Sequence, residues 1–81
     1  MYIVYVLKSR NFSQSYVGIT DNLERRLNQH NDGNSFYTKR YMPWFVIYKE
    51  ECPNRVEARV REKYLKSAAG RKFLRNNVFK N

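Results

Sequence analysis

Eight residues near the start of the chain, Tyr2 to Ser9 (YIVYVLKS), restrict the fold more than any other segment. They are β-branched and aromatic, and apolar residues fall on both alternating faces. Strands that face water on one side alternate apolar with polar residues, so this run predicts a strand covered from both sides. In a chain of 81 residues such a strand has to be shared by everything else. A chain of this length is expected to be one domain, residues 1–81, burying only about 60% of the surface its unfolded form exposes. A large enzyme with an enclosed cofactor cavity is excluded by size.

The remaining elements follow from turn and capping signals. Arg10 to Ser15 is polar and turn-like, and Ser15 to Thr20 (SYVGIT) reads as the antiparallel partner of the first strand. Gly18 inside it is unusual, since a strand glycine often marks close approach by another backbone or a ligand. Asp21 with Glu24 predicts a helix start, and Asp32-Gly33 its stop, with Leu23, Leu27 and His30 on one face. A basic, aromatic loop follows (Gly33 to Pro43), then a third strand from Trp44 to Glu51. Asn54 with Glu57 repeats the capping signal for a second helix, predicted to run to Ala69 with Gly70 as its stop. Arg71 to Lys80 reads as a short basic helix. The order β-β-α-β-α-α predicts an α+β fold, a three-stranded antiparallel sheet flanked by helices.

Charge points to the partner. Sixteen Lys or Arg against seven Asp or Glu leave a net charge of +9, which implies a polyanion and above all nucleic acid. The bases concentrate at Arg25-Arg26, Lys39-Arg40, the Arg59 to Lys66 helix and Arg71-Lys72-Arg75. Phe36, Tyr37, Tyr41 and Trp44 interleave with Lys39 and Arg40, a mixture suited to stacking bases and pairing phosphates. The alternative for Phe36 and Trp44 is burial in the core. No apolar stretch is long enough to span a bilayer, and no membrane partner is expected. A single cysteine, Cys52, allows neither an intrachain disulfide nor, with one histidine, a Cys/His zinc set. Cys52 reads as a small filler residue, and the expected setting is the reducing cytoplasm.

Whether the chain binds or cuts nucleic acid turns on its few acids. A metal-dependent phosphodiesterase needs at least one carboxylate to hold Mg²⁺, which otherwise keeps its waters and takes phosphate oxygens. Capping, turns and strand ends account for most of the seven, leaving Glu57 and Glu62. Five helical positions set these about 140° apart, so at most one can ligate a given ion. Glu57 is the capping-box residue. Spacing alone favours an ion pair between Glu62 and Lys66. Arg26 and His30, one turn apart, could clamp a phosphate and assist proton transfer, or His30 could simply favour the helix dipole. Tyrosine is abundant, but with an ordinary pKa of ~10 it serves as a base only with help.

In order and spacing these pieces resemble the GIY-YIG nuclease superfamily, from Tyr2 to about Phe73. Ile3-Val4-Tyr5 stands for the first half-motif and Tyr16-Val17-Gly18 for the second. Arg26 corresponds to the family's helix arginine. Thr38 to Trp44 (TKRYMPW) is similar to a stretch of the small structure-specific branch, and Glu57-Ala58 to Glu62 to the family's Glu-Ala-x-x-x-Glu helix. The resemblance implies a GIY-YIG-type fold and single-metal hydrolysis of phosphodiesters. Tyr5 would help generate the attacking water, Tyr16 would line the site, Arg26 would bind the scissile phosphate, and Glu62 would hold Mg²⁺ or Mn²⁺. That reverses the reading of Glu62 from spacing alone. Gly18 would sit where backbone crowds the site.

The chain departs from the pattern at Ile3, in place of the leading glycine, and at Ile19, where repair-type members often carry a lysine. His30 occupies a position often held by tyrosine, where it could accept a proton. Asn76 and Asn77 are the nearest counterparts of a late asparagine. The expected substrate is DNA rather than RNA, branched or damaged, with Arg25, Lys39, Arg40 and Lys66 on the backbone. Specificity would come from shape, or from a protein partner or second copy. The alternative is a binding module that keeps the fold without cutting.

Overall fold

The computed structural model describes residues 1–79. Its elements are β1 (Tyr2–Ser9), β2 (Ser15–Thr20), α1 (Leu23–Asn31), a 3-10 turn (Thr38–Tyr41), β3 (Trp44–Cys52), α2 (Arg55–Lys66) and α3 (Ala68–Asn77). The sheet is antiparallel in the order β2-β1-β3. β1 therefore sits in the middle, and its apolar alternation has the expected cause. Val4 and Val6 pack with Ala58, Leu65 and Leu74 of α2 and α3 on one face. Tyr5 and Leu7 pack on the other with Trp44, Leu23 and Leu27. All four of these β1 side chains are buried. The pairing of β1 with β3 shifts register between Val6 and Leu7, a bulge of the kind that re-aims neighbouring side chains.

Two helix boundaries differ from the sequence expectation, each for a local reason. The cap of α1 is Asn22, whose side chain accepts from the Arg25 N–H at 3.1 Å, and not Asp21. Thr20 presets that cap by accepting from the Asn22 N–H, also at 3.1 Å. Asp21 instead pairs with the exposed Arg25 guanidinium at 3.2 Å, a surface contact of small energetic weight. Asp32 and Gly33 end α1 as expected, with Gly33 at φ 81°. The Asn54–Glu57 box also forms, the Glu57 N–H reaching Asn54 Oδ1 at 2.9 Å.

The second difference lies at Gly70. α2 does not run to Ala69 but ends at Lys66, and Ser67 caps both helices at once. Its backbone N–H bonds the Tyr64 carbonyl, and its hydroxyl accepts from the Gly70 N–H at 3.2 Å. Gly70 belongs to the first turn of α3, where the two helices touch. A Cβ there would fall on the Tyr64 carbonyl and within 2.5 Å of Leu65 Cα. The glycine serves close helix packing rather than termination. α3 covers most of the predicted last segment, and Lys80 lies outside the described residues.

The aromatic loop also sorts itself. Trp44 is buried, and its indole N–H donates to the Thr38 carbonyl at 2.7 Å. It is a core residue, unavailable for stacking on bases. Phe36 goes the other way, 82% exposed. Asn31 stitches the end of α1 to the start of β3, accepting from the Trp44 N–H at 2.6 Å. Cys52 is buried as a filler of the core.

Candidate active site

The site begins with a missing side chain. Tyr5 on β1 stands opposite Gly18 on β2, and the phenol crosses the space a side chain would fill. A Cβ on Gly18 would lie 2.6 Å from the Tyr5 hydroxyl and 2.9 Å from Tyr16 Cε2. Glycine is thus required for β1 to send a tyrosine toward the free edge of β2. Tyr16, two residues before Gly18, flanks the same space, with ring centroids 6.3 Å from Tyr5.

α1 closes the site from the side. His30 is fully buried, and its Nε2 lies 3.0 Å from the Tyr5 hydroxyl. Its Nδ1 lies 2.8 Å from Thr38 Oγ1. Thr38 is also fully buried, held by the 3-10 turn whose carbonyl receives the Trp44 indole. Arg26, one turn before His30, places its guanidinium beside the phenol oxygens of Tyr5 and Tyr16 and donates to Gln29 Oε1 at 3.0 Å. In the His30 tautomer protonated at Nδ1, the Tyr5 hydroxyl donates to Nε2 and Nδ1–H donates to Thr38 Oγ1.

Electrostatics follow from burial. Desolvation pushes the Tyr5 phenol up to about 12, Arg26 pulls against it, and the charges of Tyr16 and Glu62 add to it. Burial, then the charge of Arg26, holds His30 down at about 4. Near pH 7 Tyr5 is therefore protonated and His30 neutral. That sets aside the helix-dipole reading of His30, which needs an imidazolium.

The same shift makes stability depend on pH. A histidine whose folded pKa lies below its unfolded value of about 6.5 stabilises fully above pH 6.5 and loses that contribution as pH falls toward 4. Relative to a His30→Asn variant, the wild-type melting temperature is expected to drop by roughly 10 °C more between pH 7.5 and 4.5. Thermal denaturation across that range checks it. Parallel pH profiles for the two proteins would contradict a neutral, buried His30.

Glu62 comes from α2, on the other face of the sheet, yet its charge registers on Tyr5. Its side chain is 12% exposed and lies between two cations, Lys66 Nζ at 2.9 Å and Arg59 Nη1 at 3.8 Å. The ion pair expected from spacing thus coexists with an electrostatic influence on Tyr5. Among the described residues no group of three or more His, Cys, Asp or Glu side chains converges. A mostly buried carboxylate whose charge reaches Tyr5 still fits a hard divalent cation, which takes one or two carboxylates and completes its shell with water and phosphate oxygens. Arg25, Lys39 and Arg40 are exposed outside this cluster, the latter two over the rings of Phe36 and Tyr41.

Sequence reasoning gave no site role to Thr38 and read Tyr37 only as one of the interleaved aromatics. Thr38 sat in the TKRYMPW segment as an apparent loop residue, and nothing local marks it as the partner of His30. Tyr37 stacks on Tyr16 with centroids 6.2 Å apart, and its place among the interleaved aromatics was the available signal.

A model of the GIY-YIG catalytic domain matches residues 1–76. A UPF0213 protein of Clostridium perfringens is 42% identical over 67 residues, spanning 82% of this chain and 71% of that protein. A UPF0213 protein of Desulfotalea psychrophila is 40% identical over 53 residues, 63% of this chain and 48% of its own length. Among solved structures, the solution NMR structure of a UPF0213 protein from Bacillus halodurans superposes with a TM-score of 0.54 at 26% identity. It covers 93% of this chain and 82% of that one.

Proposed function

The chain belongs to the GIY-YIG family, and from that premise we propose that it is a metal-dependent endonuclease hydrolysing phosphodiester bonds in DNA. The observation that carries the reading is the clustering of Arg26, Tyr16 and His30 around one buried tyrosine hydroxyl, on which the charge of Glu62 also acts. Arg26 binds the scissile phosphate and balances its charge. Water attacking that phosphate gives a proton to the Tyr5 oxygen as the phenol proton passes to His30 Nε2. A phenol held near 12 works as such a relay and not as a standing phenolate. Thr38 fixes the imidazole so that Nε2 is the free acceptor, and Tyr16 with Gly18 shapes the wall.

GIY-YIG nucleases generally use a divalent metal. Glu62 would hold Mg²⁺ or Mn²⁺, whose chemistry is to add positive charge at the phosphate being cut. Lys66, which pairs with Glu62 in the free protein, would turn to the DNA backbone together with Lys39, Arg40 and Arg25. These contacts read backbone and shape rather than base sequence, which suits a branched or damaged substrate. A partner protein or a second copy would supply any further specificity. No helix among the described residues is long and apolar enough to cross a membrane, and action on DNA in the cytoplasm, at the nucleoid, is the setting this reading implies.

The test is nicking of supercoiled plasmid and of branched duplexes by the purified protein. Nicking is expected with Mg²⁺ or Mn²⁺ and none with EDTA. Salt-dependent binding without nicking in any metal would leave a nucleic-acid-binding module that keeps the fold.

A further inference from the structure

Beside the free edge of β2 runs an open groove of about 640 Å³, with Tyr16 and Tyr37 on one side and the end of α2 with α3 on the other. That volume lies within the range of ligand sites, about 300–1,000 Å³. The buried side chains of Leu65 and Leu74 contribute to its floor. Lys66, Arg71 and Arg75 line it, and among the described residues no acidic one does. Arg71 and Arg75 are one turn apart on α3, so both project from one side of that helix, and among the described residues neither has an ion-pair partner. Phe79 adds a third aromatic ring to the lining.

This mixture selects among nucleic-acid forms. A duplex hides its base faces in the stack and would meet an apolar, aromatic floor with sugar and phosphate. A single strand presents both parts at once, bases to stack on the rings and phosphates to pair with the cations. Tyr16 belongs to both the groove and the cleavage site, where its ring lies 4.9 Å from that of His30. A strand leaving the scissile phosphate can therefore enter the groove directly.

We infer that the groove holds a single-stranded stretch of DNA continuous with the strand being cut, with bases against Tyr16 and Tyr37 and phosphates on Arg71 and Arg75. The substrate is then a junction between duplex and single strand. Continuity with the cut rests on the nuclease reading, but occupancy of the groove can be measured without cleavage.

The experiment is fluorescence anisotropy in EDTA, with labelled oligo-dT of twelve nucleotides as one probe and a blunt twelve-base-pair duplex as the other. The Arg71→Ser/Arg75→Ser variant is expected to bind oligo-dT about tenfold more weakly and the duplex within about twofold of wild type. Its log K against log salt slope for oligo-dT should shrink by about 1.4, two phosphates at ~0.7 each. Tyr37→Ala, at a residue 44% exposed, should weaken oligo-dT at least about fivefold through lost stacking and leave that slope unchanged. Unchanged oligo-dT affinity in both variants, or equal losses for the two probes, would overturn the inference. The two readings fail separately. A wild type that prefers oligo-dT through this groove but nicks nothing loses the nuclease reading alone, whereas nicking without these losses removes only the groove.

Discussion

Replacing Glu62 with glutamine is expected to reduce Mg²⁺-dependent nicking by at least about 10³-fold while leaving the fold intact. The substitution preserves shape and removes one negative charge. That charge acts on Tyr5, and Glu62 is the carboxylate proposed to hold the cation. A glutamine amide holds Mg²⁺ poorly in competition with water. Stability should change by no more than about 1 kcal/mol, because the pairs lost are with largely exposed Arg59 and Lys66. Metal-free affinity for DNA should be equal or slightly higher, since Lys66 no longer has an anion to pair with. Nicking, melting temperature and anisotropy measured together check this. Loss of cleavage accompanied by loss of binding would mean that Glu62 acts through structure.

Tyr5→Phe is expected to lower the single-turnover rate by about 10²–10⁴-fold, the range for removing a positioned proton-transfer group. It should also cost about 1–3 kcal/mol of stability. Phenylalanine fills the same space over Gly18 but leaves His30 Nε2 buried without its 3.0 Å partner. The two effects separate by experiment. Stability recovers at low pH relative to wild type if the orphaned imidazole protonates more readily, whereas the catalytic loss persists at every pH. A Tyr5→Phe enzyme cutting at the wild-type rate would remove Tyr5 from the chemistry and shift proton acceptance to Tyr16 or solvent.

How much of this was legible in the sequence depends on the distance over which each signal acts. The central strand could be read because burial on both faces prints an apolar residue at every position from Val4 to Leu7. The Asn54–Glu57 box was readable because it is local chemistry across three residues. Gly70 misled because a glycine after a helical run looks the same as a stop and as a close-packing point, and only the contact with Tyr64 and Leu65 distinguishes them. Trp44 was open between stacking and the core, and its contacts with Thr38 and Asn31 settle it as core.

Glu62 is the instructive case. The pattern on α2 contains its pairing with Lys66, and helical geometry alone stops there. The influence of its charge on Tyr5 is a tertiary fact that no spacing on α2 records. Ordered half-motifs carried that information because they tie together residues far apart in the chain. The bond from His30 to Thr38 had no such marker, and burial of the pair became visible only with the 3-10 turn in place.

The central claim is that one buried tyrosine, supported by Arg26 and His30 and acted on by the charge of Glu62, cuts the DNA backbone. The most direct measurement is single-turnover nicking of supercoiled plasmid by wild type, Glu62→Gln and Tyr5→Phe, purified in parallel and assayed in Mg²⁺ and in EDTA. Wild type should nick in Mg²⁺ alone, with Glu62→Gln at background and Tyr5→Phe at least about 10²-fold slower. Equal nicking by all three preparations would contradict the account.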